Sequence, residues 1–183
     1  MSGKCFLIVG CTGSGKSTYT KNVLKLVNPK AIKLHDVNGE YKDILDTGDP
    51  QDIEEFVSEA DKVRHGIIVI EEATNFFDSK STDKTLVRML VEKRHRKLTM
   101  FLIFHSFADI PRYIYRKATH VVIFKTNDEV AEVQNRFKDK RLTAHFAAIK
   151  NAPWILTDKT NPDTGEKIRY SPSVVYDIYK IED

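Results

Sequence analysis

Cysteine is scarce in this chain: 183 residues carry only two, Cys5 and Cys11. That excludes a disulfide framework, and a reducing cytoplasm is the expected setting. Long apolar runs are lacking too. No stretch approaches the roughly 20 residues needed to cross a bilayer, so no membrane span is expected. The opening "MSGKCFLIVGC" has no signal-peptide pattern, because its short apolar run leads straight into a glycine-rich loop. Internal repeats, low-complexity tracts and linker-like segments do not occur. The net charge of +3 is too small by itself to require a polyanionic partner. What remains is 41% hydrophobic and 30% charged, the balance of a globular protein, and the length suits one domain spanning residues 1–183.

The most specific segment is "GCTGSGKST" (10–18). Gly10, Gly15, Lys16 and Ser17 spell the pattern G-x-x-x-x-G-K-[ST], between an apolar strand, Cys5 to Val9, and the helical pattern "STYTKNVLKLV". Strand before and helix after is the context that a phosphate-binding loop requires. Gly13 and Gly15 permit backbone angles that side chains forbid. The N–H groups of Gly10, Cys11, Thr12, Gly13, Ser14 and Gly15, then Lys16, Ser17 and Thr18 at the helix start, are expected to cradle nucleotide phosphates. Lys16 supplies a point charge for the β and γ phosphates, and the Ser17 hydroxyl a ligand for Mg²⁺. ATP and Mg²⁺ are the expected cofactors.

Strand-like and helix-like segments alternate along the rest of the chain. "AIKLHDV" (31–37) reads as a strand, "QDIEEFVSEADKVRH" (51–65) as a helix with Ile53, Phe56, Val57 and Ala60 on one face, and "GIIVIEE" (66–72) as a buried parallel strand. A helix from about Thr82 to Arg96 precedes "TMFLIFHS" (99–106). "HVVIFK" (120–125) follows a short helix after Pro111. The order predicts an α/β fold, a three-layer sandwich with a mainly parallel five-stranded core sheet over about 3–126. Beyond it, "NDEVAEVQNRFKDK" predicts a helix that can run on to Ile149. "PWILTDKTNPDTGEKIRYSP" predicts a C-terminal β-hairpin turning through Asn161, Pro162, Asp163 and Gly165.

The third strand ends on two acids, Glu71 and Glu72. Ending an apolar strand on two charges is costly unless they have partners. In a phosphate-loop protein this edge faces the metal. Glu71 is then placed to bind Mg²⁺ through water, and Glu72 to polarise a water for attack on the γ phosphate.

Taken in order, "GCTGSGKS", "VIEEA", the helix ending "EKRHRKL" and the strand "MFLIFHS" resemble the ATPase core of the FtsK–HerA superfamily of P-loop NTPases. "HDVNGEYKDIL" (35–45) is similar to the aspartate–glycine–glutamate–tyrosine stretch of HerA-type helicases, and the small size resembles viral genome-packaging ATPases. Two positions depart from the pattern. The family usually has Asp before Glu at the end of the third strand, where this chain has Glu71 and Glu72. The family's glutamine sensor on the fourth strand falls at Ser106, which is shorter, so the neighbouring His105 is the alternative sensor.

The resemblance implies an ATP-hydrolysing motor that translocates or packages DNA. It also implies a homo-oligomeric ring, such as a hexamer, with a capsid or portal protein as a further partner, in host cytoplasm or virion. It assigns an arginine acting on a neighbour's nucleotide to the basic cluster 93–97, with Arg94 and Arg96 as candidates and Arg112 and Arg116 behind them. Asp36 and Glu40 are family-matched acids near the site. Lys138, Lys140, Arg141, Lys167 and Arg169 are candidates for DNA phosphate contacts. Two other readings remain open from sequence: a small nucleotide kinase, and an ATP-gated assembly factor that hydrolyses slowly or not at all.

Overall fold

The computed structural model describes residues 3–45, 52–77, 84–153, 155–160 and 165–170. Five parallel strands form the central sheet: β1 (Cys5–Val9), β2 (Ile32–His35), β3 (Ile67–Ile70), β4 (Thr99–Phe104) and β5 (His120–Ile123). Their spatial order is β2-β3-β4-β1-β5. Strand β4 therefore lies between the strand that feeds the glycine-rich loop and the strand that ends on the acids.

Alternation along each strand sends side chains to two faces. Leu7 and Val9 join Ile68, Ile70, Met100, Leu102 and Phe104 in one cluster, closed by residues of helices α2 (Ile53–Lys62), α3 (Thr74–Phe77), α4 (Lys84–Arg96) and α5 (Arg112–Tyr115). Helices α6 (Val130–Phe137) and α7 (Lys140–Asn151) pack on the same side through Val133, Leu142, Phe146 and Ile149. Ile8, Val69, Ile103 and Phe124 face the other way, against Leu24 of helix α1 (Lys16–Leu24) and Tyr41. Burial on both faces is why the strands read as unbroken apolar runs rather than alternating ones.

Helix boundaries follow local chemistry. Asp52 caps α2, its side chain accepting from Glu54 N at 2.9 Å, and acids occupy the first turn as the helix dipole favours. The long helix expected to reach Ile149 is two helices. Lys138 closes α6 in the left-handed region with φ 55°, and Asp139 starts α7 by accepting from Arg141 N and Leu142 N, both at 3.0 Å. The Asp139 carboxylate also accepts from Tyr115 Oη at 2.7 Å, so a tertiary contact fixes the break.

Strands β6 (Ile155–Thr160) and β7 (Lys167–Tyr170) pair antiparallel in a separate two-stranded sheet, with a register irregularity between Leu156 and Thr160. Of the expected turn residues, Asn161, Pro162 and Asp163 lie outside the described residues.

Candidate active site

The glycine-rich loop leaves β1 held on both sides. Gly10 N donates to Phe104 O at 3.1 Å and Cys11 N to Lys125 O at 2.8 Å. A Cβ on Gly10 would stand 2.5 Å from Phe124 Cβ and 2.4 Å from Ser14 Oγ, so only glycine fits there. Gly13 and Gly15 have φ of 73° and 101°, and a Cβ on Gly13 would meet nothing within 4 Å. The loop is therefore tight against the sheet at its root and open at its tip.

Two observations fit this loop to a phosphate. The Ser14 hydroxyl is buried and has no hydrogen-bond partner among the described residues. The first turn of α1 contains no acid to oppose an anion. Lys16 is buried, its Nζ donating to Gly10 O at 2.6 Å and Cys11 O at 3.1 Å. Burial pushes its pKa below the usual lysine value, while the nearby Glu71, Cys11, Glu72 and Glu40 charges act the other way. Ser17 is half-buried on the same turn. Thr12 and Thr18 are exposed, and Cys11 is partly so.

Glu71 follows β3 directly, its N–H donating to His35 O at 3.2 Å. Its side chain is 5% exposed and accepts a hydrogen bond from Tyr41 Oη. Burial raises its pKa from 4.5 to about 7, with the Tyr41 bond and Lys16 opposing and the Glu40 and Glu72 charges adding to the rise. Among the described residues no group of three or more His, Cys, Asp or Glu forms a metal cage. Ser17 and Glu71 together suit Mg²⁺, which keeps several waters and shares its coordination with substrate phosphates.

At Glu72 the chain turns into the left-handed region, φ 51°, a conformation that costs a non-glycine residue about 1 kcal/mol or more. Ala73 N donates to Ile103 O at 2.9 Å, holding this reversal against β4. The result brings Glu72 Oε1 within 2.7 Å of His105 Nε2, at the end of β4. Lys16, Glu71, Glu72 and His105 thus all stand where parallel strands β1, β3 and β4 end.

Other expected residues are placed elsewhere or differently engaged. Ser106 does not join Glu72. Its Oγ donates to Asp109 Oδ2 at 2.9 Å and its N–H to the same oxygen at 3.1 Å, which makes it the anchor of a turn. Arg96 is also otherwise engaged. It donates to Asp61 Oδ1 at 2.8 Å, Asp61 O at 2.9 Å and Glu92 Oε2 at 2.7 Å, clasping α4 to the end of α2. The Arg96 guanidinium is thus engaged within its own chain.

Arg94 is exposed. It lies at the end of α4 that leads into the start of β4, and a Cβ on Gly3 would fall 2.5 Å from its Cα. That is the sheet edge opposite to Lys16. Arg112 and Arg116 are exposed at either end of α5. Lys138, Lys140 and Arg141 are exposed around the α6–α7 break; the side chains of Lys167 and Arg169 lie outside those described.

Tyr41 and Asp128, not singled out from sequence, organise the site together with Asp36. Asp36 accepts from Glu40 N and Tyr41 N, both at 2.9 Å, so it shapes the turn that follows β2 beside Glu71, and Glu40 is exposed. That turn delivers Tyr41 to Glu71. Asp128 accepts from Phe107 N at 2.8 Å and Ala108 N at 3.2 Å, securing the segment after His105. The only advance signal for Tyr41 was its place within "HDVNGEY" (35–41).

Sheet order, loop and acid pair together define the P-loop NTPase fold. Solved structures with this fold are similar to the chain over most of its length. Against the genome packaging NTPase B204 from Sulfolobus turreted icosahedral virus 2 in complex with ATP-gammaS, identity is 19%, with 93% of this chain and 98% of that chain covered and a TM-score of 0.64. Against B204, the DNA-packaging ATPase from Sulfolobus turreted icosahedral virus, identity is 18%, coverage 81% and 89%, and TM-score 0.66. The AMP complex of the first protein gives 19% identity, 81% and 89% coverage, and a TM-score of 0.63. No protein-family model and no curated protein matches the sequence.

Proposed function

We propose that this chain is a Mg²⁺-dependent ATPase that drives DNA translocation or packaging, working as a single domain within a homo-oligomeric ring. The observation that carries the hydrolase reading is the Glu72–His105 pair, standing at the same sheet edge as the phosphate loop. A small kinase needs a second substrate hydroxyl held in place; this chain instead builds a carboxylate with its own orienting partner. Likeness in fold to B204, described as a genome-packaging NTPase and a DNA-packaging ATPase, supports the motor reading.

The chain's residues divide the work. Backbone N–H groups from Thr12 to Ser17 hold the phosphate oxygens, and the Ser14 hydroxyl gains there the partner it lacks among the described residues. Lys16 exchanges the Gly10 and Cys11 carbonyls for the β and γ phosphates. Mg²⁺, when bound by Ser17 and, through water, by Glu71, supplies charge neutralisation to those phosphates. Glu72 takes a proton from the water whose oxygen bonds to the γ phosphorus as the bond to the leaving ADP oxygen breaks. His105 holds the Glu72 carboxylate in place. Arg94 is assigned to the neighbour's nucleotide. Because it lies at the opposite sheet edge from Lys16, the ring that uses it must join subunits head to tail, as heterologous closed rings do.

ATP turnover with and without DNA, alongside the mass of the species in solution, tests this reading. DNA-stimulated turnover by an oligomer is the expected result. Turnover indifferent to DNA in a formed ring favours a nucleotide-gated assembly factor instead.

A further inference from the structure

Glu71 stands where Asp is usual in the superfamily that the sequence resembles, and it carries one more rotatable bond. A carboxylate that must hold a metal-bound water gains nothing from that extra freedom, since each additional rotamer dilutes the productive one. The structure supplies a restraint. Tyr41 is fully buried, 0% exposed, and its hydroxyl donates to Glu71 Oε1.

The tyrosine is itself held by three independent devices. Asp36, buried directly after β2, accepts from Glu40 N and Tyr41 N at 2.9 Å each. The Tyr41 carbonyl accepts from Ile44 N and Leu45 N, both at 3.0 Å. Its ring packs in the cluster that includes Leu24 of α1. Two residues further on, Asp43 pairs with Lys21 of α1 at 2.7 Å. The 36–45 segment is thus a brace between the helix that begins at the phosphate loop and the strand that ends on Glu71.

We propose that Tyr41 is a positioning residue that fixes the Glu71 carboxylate for Mg²⁺-bound water, offsetting the longer side chain at this position. The proposal rests on the reading of Glu71 given above. Hydroxyl bonds to charged groups are among the stronger ones in proteins, and losing this one is expected to change metal-dependent binding by about tenfold.

Tyr41→Phe keeps the ring in the core and removes only the hydroxyl. The experiment measures equilibrium binding of a fluorescent non-hydrolysable ATP analogue over a Mg²⁺ titration, for the parent, Tyr41→Phe, Glu71→Gln and the double variant. Tyr41→Phe is expected to keep the parental affinity without Mg²⁺, while raising the Mg²⁺ concentration for half-maximal binding by about tenfold. On the Glu71→Gln background the same change is expected to add nothing further. In turnover, kcat should fall more than KM rises, which a loosened core alone would not produce.

If Glu71→Gln shifts the Mg²⁺ midpoint and Tyr41→Phe does not, the positioning role is overturned and the reading of Glu71 stands. If Glu71→Gln leaves the midpoint at the parental value, the reading of Glu71 fails and takes the proposal with it. A Tyr41→Phe protein that loses Mg²⁺-free binding equally reports a structural role, and overturns the proposal.

Discussion

Glu72 Oε1 and His105 Nε2 are 2.7 Å apart, although 33 residues separate them in the chain. The contact exists because β4 lies beside β3 in the sheet and because Glu72 accepts a left-handed backbone, φ 51°. Strain at a non-glycine residue persists only where its surroundings enforce it, and here it aims the carboxylate at the end of the neighbouring strand.

That relationship predicts separate failures for the two residues. Glu72→Gln keeps size and hydrogen bonding but cannot take a proton, so ATP should bind with parental affinity and turnover should fall by roughly 10²–10⁴, the usual worth of a general base. His105→Ala leaves the base present but unheld, and a smaller loss, about tenfold in kcat, is expected. Equilibrium nucleotide binding beside steady-state turnover checks both. Parental turnover in Glu72→Gln would remove that residue from the mechanism.

Arg94 and Arg96 should part company in the same way. Arg96→Ala strips the clasp from Asp61 and Glu92, and because both carboxylates stay partly exposed the loss is expected to be moderate, on the order of 1–2 kcal/mol. A lowered thermal midpoint is its expected signature. Arg94→Ala should unfold at the parental temperature. Mixed with Lys16→Ala, which fails in phosphate binding, it should restore part of the lost turnover at shared interfaces. An arginine acting across an interface can be worth about 10³–10⁵ in rate, so rescue should stand well above background. No rescue at any mixing ratio, in a demonstrated oligomer, counts against Arg94.

How much of this was legible beforehand depends on the range of the interaction. The loop from Gly10 to Ser17 and the buried strands were readable because their signals are local: glycine spacing and continuous apolar runs. Glu71 and Glu72 were legible as acids ending such a run. The break at Lys138 was not, since it depends on a left-handed lysine and on Asp139 meeting Tyr115 across the fold. For Arg96 and Ser106 the intrachain partners were not legible, for the same reason. Each fitted a sequence pattern, and each is occupied by a carboxylate that the pattern did not name: Asp61 35 residues upstream, and Asp109 three downstream.

Burial of Glu71 predicts an unusual pH dependence of stability. Its folded pKa is about 7 against an ordinary 4.5. Between those values the folded chain retains a proton that the unfolded chain gives up. Stability from this group is therefore greatest at low pH and declines as pH rises from about 4.5 to about 7, by roughly 3 kcal/mol in all. Glu71→Gln lacks that decline. Denaturant unfolding of both proteins in chelator, without nucleotide, should give curves that converge at acid pH and separate towards neutrality, with the variant the more stable. Parallel curves across that window would refute the shift.

The proposed DNA contact involves Lys138, Lys140 and Arg141, exposed together around the α6–α7 break. Exposure alone is the ordinary condition of Lys and Arg, so the discriminating property is ionic-strength dependence. Each phosphate contact releases condensed counterions, and the logarithm of affinity falls with the logarithm of salt by about 0.9 per contact on duplex DNA. DNA should raise ATP turnover at low salt, with little sequence preference, and the stimulation should fade as salt rises. Replacing the three residues with Ala should flatten the slope by about 3 if all of them meet phosphates, while basal turnover without DNA stays at the parental level. Any change in basal turnover would mean that they act on the site and not on DNA. An unchanged slope in the triple variant, with the ring intact, would assign the DNA surface to another part of the chain.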